Sequence, residues 1–326
     1  MSEPTGKGWK DALLTSGRPL ETSVARRVLE VDGLRPRAEY EFDRFDPSGQ
    51  PVIHSVDLLA TWEDLGRDLH IDLLIESKFR QRPKTWVYRK SEAAVPGGVS
   101  STRFFQTTED LVSDRYFNRK GLSERVDHEF LLGSKPVEIH DPERNSKFGP
   151  CDDGGRQLAY AVASRMAEAA LETLRDGQFR FVLPITVTTA NLRVMKSNPT
   201  MEEVEAAKSL DDLVEKADLV VSRFPTRDLE KHVLHRLTQL ADLAGRAEVN
   251  DALLDKGIQG LPGLARRLAS QMDGTYIVVP YERLAEVAGR AIDYCVSETH
   301  DHFRVHRVGG VPVSEMLRER FENASS

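Results

Sequence analysis

Residues 51–62 (PVIHSVDLLATW) and 69–79 (LHIDLLIESKF) are two apolar runs joined by a short polar loop, Glu63 to Asp68. Strands this close in sequence pair as an antiparallel hairpin, and the turn fixes their register. With the turn centred on Gly66-Arg67, Leu58 meets Ile75, Ala60 meets Leu73 and Trp62 meets Ile71. That face is uniformly apolar, as a core face must be, and a one-residue slip would spoil the matching. On the opposite face Leu59 meets Leu74, Asp57 falls opposite Glu76, and Ser55 falls opposite Lys78. Side chains alternate with period 2, so Glu76 and Lys78 point the same way.

Burying charge costs several kcal/mol unless it is paired, hydrogen-bonded or metal-bound. A Glu76–Lys78 ion pair is one answer, but it leaves Asp57 facing a second carboxylate. A hard divalent cation answers both, because Mg²⁺ takes one or two carboxylates plus waters and substrate oxygens. Lys78 would then sit beside a metal-bound water, able to orient it or to stabilise developing negative charge.

The flanking chain supplies a frame. Pro19 and LETSVARRVLE predict a helix over about 19–32, closed by Asp32-Gly33. Its apolar face is set by Val24, Val28 and Leu29, and Glu21 is spaced to point to that same inner face. RAEYEFDRF (37–45) alternates as a half-buried strand, followed by the turn Asp46-Pro47-Ser48-Gly49. Gly154-Gly155 opens a helix closed by Gly177, and QFRFVLPITVTT (178–189) is a buried strand in which Pro184 marks an edge or bend. Residues 201–270 read as helical, TYIVVP (275–280) as a strand, and 282–294 as a helix. The chain is thus expected to be α/β, with residues 1–195 as a core, an insertion at about 91–153, and a mainly helical C-terminal region over 196–326 packed on the core or standing apart.

Composition narrows the classes. With 40% hydrophobic and 30% charged residues the chain reads as soluble and globular. No signal-peptide h-region, no bilayer-length apolar run and only Cys151 and Cys295 point to a cytoplasmic protein without a disulfide framework. The net charge of -7 does not advertise a nucleic-acid binder. Residues 78–90 (KFRQRPKTWVYRK) break that rule locally. Lys78, Arg80, Arg82, Lys84, Arg89 and Lys90 occur without an acid, interleaved with Phe79, Trp86 and Tyr88. Such a stretch suits phosphate contact and base stacking, the competing reading being a strand end with Trp86 in the core. His300, His302 and His306 read as a surface cluster, His232 and His235 as amphipathic-helix residues, and His54 as facing away from Asp57.

The acid on the first helix (Glu21), Asp57 on the second strand and Glu76-Ser77-Lys78 on the third resemble the PD-(D/E)XK nuclease family. The resemblance covers residues 10–90, with Val56 in place of the proline of the motif name. The second helix and following strand would come late, after about 65 unassigned residues. It implies a restriction-endonuclease-like core (helix, three-strand antiparallel meander, helix, strand) with a mainly helical C-terminal elaboration. It also implies metal-dependent hydrolysis of phosphodiesters in DNA, or less often RNA. Mg²⁺, with Mn²⁺ as a substitute, would be held by Asp57, Glu76 and the Ser77 backbone carbonyl. Glu21 would support a second metal or order waters. Gln157 and Tyr160 (QLAY) are similar to the glutamine–tyrosine motif of RecB-type nucleases, against a plain reading of Gln157 as a surface residue at a helix start. Two other functions stay open: an inert nuclease-like module that binds nucleic acid or protein, and an interaction protein of unrelated fold. Whether the chain forms a homodimer or binds a partner protein is open on the sequence.

Overall fold

The hairpin forms in the expected register in the computed structural model, which describes residues 8–45, 50–80, 84–90, 104–108, 111, 132–139, 153–223, 229–272 and 274–306. The elements before the long central helix are α1 (Trp9–Thr15), α2 (Arg18–Val28), β1 (Arg35–Pro36), β2 (Tyr40–Phe45), β3 (Pro51–Val56), β4 (Leu58–Asp64), β5 (Leu69–Lys78), β6 (Thr85–Lys90), β7 (Gln106–Thr107) and β8 (Leu132–Ile139). Then follow α3 (Asp153–Asp176), β9 (Phe179–Thr188), β10 (Asn191–Met195), α4 (Met201–Ala206), α5 (Leu210–Leu213), β11 (Val214–Lys216) and β12 (Val220–Arg223). The chain continues with α6 (Leu229–Ala244), α7 (Arg246–Asp255), α8 (Gly260–Gln271), β13 (Thr275–Pro280) and α9 (Leu284–His306).

Leu58 pairs with Ile75, Ala60 with Leu73 and Trp62 with Ile71, across a turn in which the Asp64 side chain accepts from Gly66 N–H at 3.0 Å. That bond is the Asx-type closure for which aspartate suits turns. The strand expected over 51–62 is broken at Asp57. β4 stays in the main sheet with β1 and β5, while β3 turns away with β2 as a separate two-stranded ribbon. The two halves keep one register, because Arg37 N–H donates to the Leu59 carbonyl and Leu59 N–H to the Ala38 carbonyl across the break. The ribbon leaves the sheet to pack Tyr40, Phe42 and Val56 into the core formed with α3.

The chain is a mixed α/β protein. The main sheet runs β1-β4-β5-β9-β13-β12-β8-β6-β10-β11, with β7 added on β9. On one face α3, α6 and α8 contribute Leu158, Val162, Val233, Leu237, Leu264 and Leu268 to the core. On the other, Leu20, Val24 and Val28 of α2 join Val287, Ala288 and Ile292 of α9 over Leu73 and Ile75. Leu29, expected on that inner face, is 63% exposed, because α2 ends at Val28. Residues 201–270 are not uniformly helical: β11 and β12 interrupt them, and β12 pairs with β13 inside the main sheet. No helix among the described residues is long and apolar enough to cross a membrane.

Pro184 lies in a central strand rather than at an edge. β9 runs parallel to β5 on one side, and its other side is shared by β7, at Phe181 and Val182, and β13, from Ile185 onward. Arg180 N–H donates to Thr108 Oγ1 on the β7 side, so by period 2 the missing N–H of Pro184 faces that same edge. It falls in the gap between the two partners, where no ladder bond is lost.

Candidate functional site

The bend at Asp57 leaves the end of β5 without a strand neighbour on that side. Asp57 replaces it: its Oδ2 accepts from Ser77 N–H at 2.6 Å. The Ser77 carbonyl lies on the same strand edge as its N–H, beside that carboxylate. Glu76 is 2% exposed, and its Oε1 accepts from Lys78 Nζ at 2.6 Å. Its Oε2 is buried with no hydrogen-bond partner among the described residues. Each carboxylate thus spends one oxygen on internal structure and keeps the other.

Desolvation by burial dominates here. It pushes the Glu76 carboxyl from 4.5 to about 7, with the Asp57 charge adding to the rise and Lys78 and the Asp57 backbone N–H opposing it. Burial also raises Asp57, against the Ser77 N–H and Lys78. Glu21 is raised by burial and by the charges of Asp57 and Glu39, while Arg18 and Lys78 pull it down. Glu21 therefore shares the electrostatic field of the site from the α2 layer. Among the described residues, no group of three or more His, Cys, Asp or Glu side chains is placed to hold a metal ion by itself. Two carboxylates, one with a buried oxygen unpartnered among the described residues, and a strand carbonyl do suit Mg²⁺, which keeps several waters.

Glu39 was not singled out from the sequence. One step beyond the Tyr40–Val56 pair, the β2–β3 register places Glu39 opposite Asp57, and Ser55 Oγ donates to its carboxylate. A turn centred on Pro47-Ser48 would have set Glu39 opposite Val56, one residue short of the observed register, so the turn composition did not point to it.

The first turn of α3 closes the site. Lys78 Nζ donates to Gln157 Oε1 at 3.1 Å, and Gln157 Nε2 donates to the Ser55 carbonyl at 3.4 Å. Gln157 thereby bridges the gap where the bent strand parts from Lys78, and the surface reading of this residue fails. A Cβ on Gly154 would lie 3.1 Å from Lys78 Cε and 3.6 Å from Glu76 Cγ, so glycine admits this approach. Tyr160 is not part of the site. It packs edge-on against His232 at 4.4 Å, with Arg44 over its ring.

The basic stretch divides differently than its composition suggests. Arg80 Nε and Lys84 Nζ both pair with the buried Glu138 on β8, at 2.7 and 3.1 Å. Trp86 is 1% exposed and donates to the same carboxylate at 2.9 Å, so the core reading of the tryptophan holds. Both cations pair with one internal acid, which leaves one net positive charge at this strand end. Arg89 is exposed and donates to Asn198 at 2.9 Å. Arg82, and the side chains of Lys90, His300, His302 and His306, lie outside the described residues. His54 stacks on Phe42 at 6.1 Å, and His235 meets Phe45 edge-on at 4.5 Å.

A second buried charge on β5 is Asp72, on the same face as Glu76 and 1% exposed. Arg165 of α3 donates to it at 2.7 Å, and His70 and Thr61 also reach it. Burial alone pushes Asp72 up, but His70 and Arg165 outweigh it and hold the carboxyl below its ordinary value. Asp72 is therefore a clamp between sheet and helix, and Glu76 is the acid of this face left with an unpaired oxygen.

No protein-family model, no curated protein and no solved structure matches the chain.

Proposed function

We propose that the chain is a metal-dependent nuclease of PD-(D/E)XK type that hydrolyses phosphodiester bonds in DNA, or RNA. The observation that carries this reading is the buried, unpartnered Oε2 of Glu76, beside Asp57 and with Lys78 on its other oxygen. The order α2, the three strands bent at Asp57, α3, and β9 parallel to β5 supports a restriction-endonuclease-like core. Asp57, Glu76 and the Ser77 carbonyl would hold Mg²⁺, with Mn²⁺ as a substitute. The ion would polarise the phosphate and lower the pKa of a bound water. Lys78, fixed by Glu76 and Gln157, orients the attacking water or stabilises charge on phosphorus. Arg18 and Arg156 are exposed in the first turns of α2 and α3, and Arg18 lies near enough to Glu21 to pull its carboxyl down; both guanidinium groups are suited to phosphate contact.

The test is cleavage of DNA and RNA with Mg²⁺ or Mn²⁺ by the wild type and Lys78→Ala. Wild-type cleavage that drops to background in a variant that still folds is the expected result. Cleavage that survives both Lys78→Ala and Asp57→Ala would sink the assignment. The 2.6 Å Glu76–Lys78 pair also suits an inert module whose charges are structural. Calorimetry that shows no Mg²⁺ or Mn²⁺ binding near neutral pH would favour that reading.

Gly154→Ala gives a graded version of the same test. The new methyl would displace the flexible Lys78 side chain by a few tenths of an ångström rather than unfold the helix. Alanine is the better helix former by up to about 1 kcal/mol. Cleavage is expected to fall roughly tenfold or more as the geometry loosens, while thermal melting stays level or rises slightly.

A further inference from the structure

Three threonines stand at the end of β9 in the run TVTT, Thr186 and Thr188 within the strand and Thr189 directly after it. Two of them have visible work. Thr188 Oγ1 donates to the Lys78 carbonyl at 3.1 Å and accepts from Ala190 N–H. Thr189 Oγ1 accepts from Arg80 N–H at 2.7 Å and donates to the Arg80 carbonyl at 2.8 Å. Together they tie the end of β9 to the end of β5. Thr186 does neither. Its hydroxyl is buried with no hydrogen-bond partner among the described residues, and the residue is 2% exposed.

Position explains why that hydroxyl matters. Thr186 is the direct partner of Glu76 in the parallel β5–β9 pair, so both side chains rise from the same sheet face toward α3. Its Oγ1 lies 3.5 Å from the point where a Gly154 Cβ would stand, and Glu76 Cγ lies 3.6 Å from that same point. Thr186 Oγ1 and the Glu76 side chain therefore border the same point above Gly154, and each of these two neighbouring residues carries a buried oxygen without a hydrogen-bond partner among the described residues. A buried polar group left unsatisfied costs about 1–3 kcal/mol. Valine has the shape of threonine without the hydroxyl, and its use here would remove that cost.

We propose that Thr186 is a positioning residue for the divalent cation of the site, holding a cation-bound water through its hydroxyl while Glu76 Oε2 contacts the cation. The inference rests on the metal-site reading above and adds a residue outside its motif. It also gives Gly154 a second purpose, since a methyl there would fill the space beside the hydroxyl.

The experiment is Mn²⁺ titration, by calorimetry and by loss of the free-ion paramagnetic resonance signal, on the wild type, Thr186→Val and Thr186→Ser. Loss of an outer-shell partner of a metal site typically weakens affinity by about 10–100-fold. Thr186→Val is expected to bind Mn²⁺ about tenfold more weakly or worse, and to melt in EDTA at or above the wild-type temperature. Thr186→Ser restores the hydroxyl and is expected to bind as the wild type does. Wild-type affinity in Thr186→Val overturns the inference and leaves the metal site standing. Equal weakening in both variants overturns it too, because it assigns the effect to packing. A wild type that binds no Mn²⁺ overturns the metal reading itself, and this inference with it.

Discussion

Arg165→Met is expected to destabilise the protein by about 3–5 kcal/mol, the cost of removing one partner of a buried ion pair. Arg165 is the main counter-charge of Asp72, which is 1% exposed and accepts its Nε–H at 2.7 Å. The same guanidinium also reaches Glu168 at 3.2 Å and Glu172 at 2.8 Å. Those two acids keep partial cover from Arg236 and Arg180, but among the described residues Asp72 retains only the His70 ring and the Thr61 hydroxyl. Total stability of a domain is about 5–15 kcal/mol, so this is a large fraction of it. The double variant Asp72→Leu with Arg165→Met removes both charges and should recover most of the loss, because the penalty belongs to the stranded carboxylate. Urea unfolding of the two singles and the double closes the cycle. Additive losses would show that Asp72 and Arg165 do not act as a pair.

Glu76→Gln should move stability the other way while removing activity. In the metal-free fold the Glu76 carboxyl is raised from 4.5 to about 7 by desolvation. The folded state therefore holds this proton more tightly than the unfolded state does. The resulting contribution is fully present below the unfolded value and is lost as pH rises through about 7. Glutamine cannot ionise and keeps the neutral form at every pH. Metal-free Glu76→Gln is thus expected to be more stable than the wild type by on the order of 3 kcal/mol near pH 8, with the gap closing in acid. Cleavage should fall on the order of 10³-fold or more, since the unpaired oxygen no longer carries charge for the cation. Melting curves in EDTA at several pH values, beside a Mn²⁺-dependent cleavage assay, read both effects. A variant that keeps its activity would remove Glu76 from the site, and one destabilised near pH 8 would make the Glu76–Lys78 pair structural.

Both arguments start from charges on one strand, yet only one of them was singled out from the sequence. Glu76 and Lys78 stand out in LHIDLLIESKF because the hairpin register sets Asp57 against Glu76. Asp72 sits on the same face four residues earlier and passed unremarked, because nothing near it in sequence announces Arg165. Glu39 shows a gap of another kind: a turn centred on Pro47-Ser48 sets it opposite Val56, and the observed register, one residue different, sets it opposite Asp57. The basic stretch shows the opposite case. Arg80 and Lys84 look free locally, and the acid that pairs with both, Glu138, arrives on β8 from far along the chain.

Period-2 alternation and turn spacing are local, so the sequence by itself determined the hairpin, its register and the face on which Asp57, Glu76 and Lys78 lie. The bend at Asp57, the seating of Gly154 and Gln157 against Lys78, and the choice of which charges are paired were decided only by tertiary structure. Those depend on which remote side chain reaches a buried group, and desolvation makes that single partner decisive. Glu76 and Asp72 are nearly identical in their strand. What separates a structural clamp from a candidate metal ligand is that Arg165 reaches one of them, while one oxygen of the other is left without a partner.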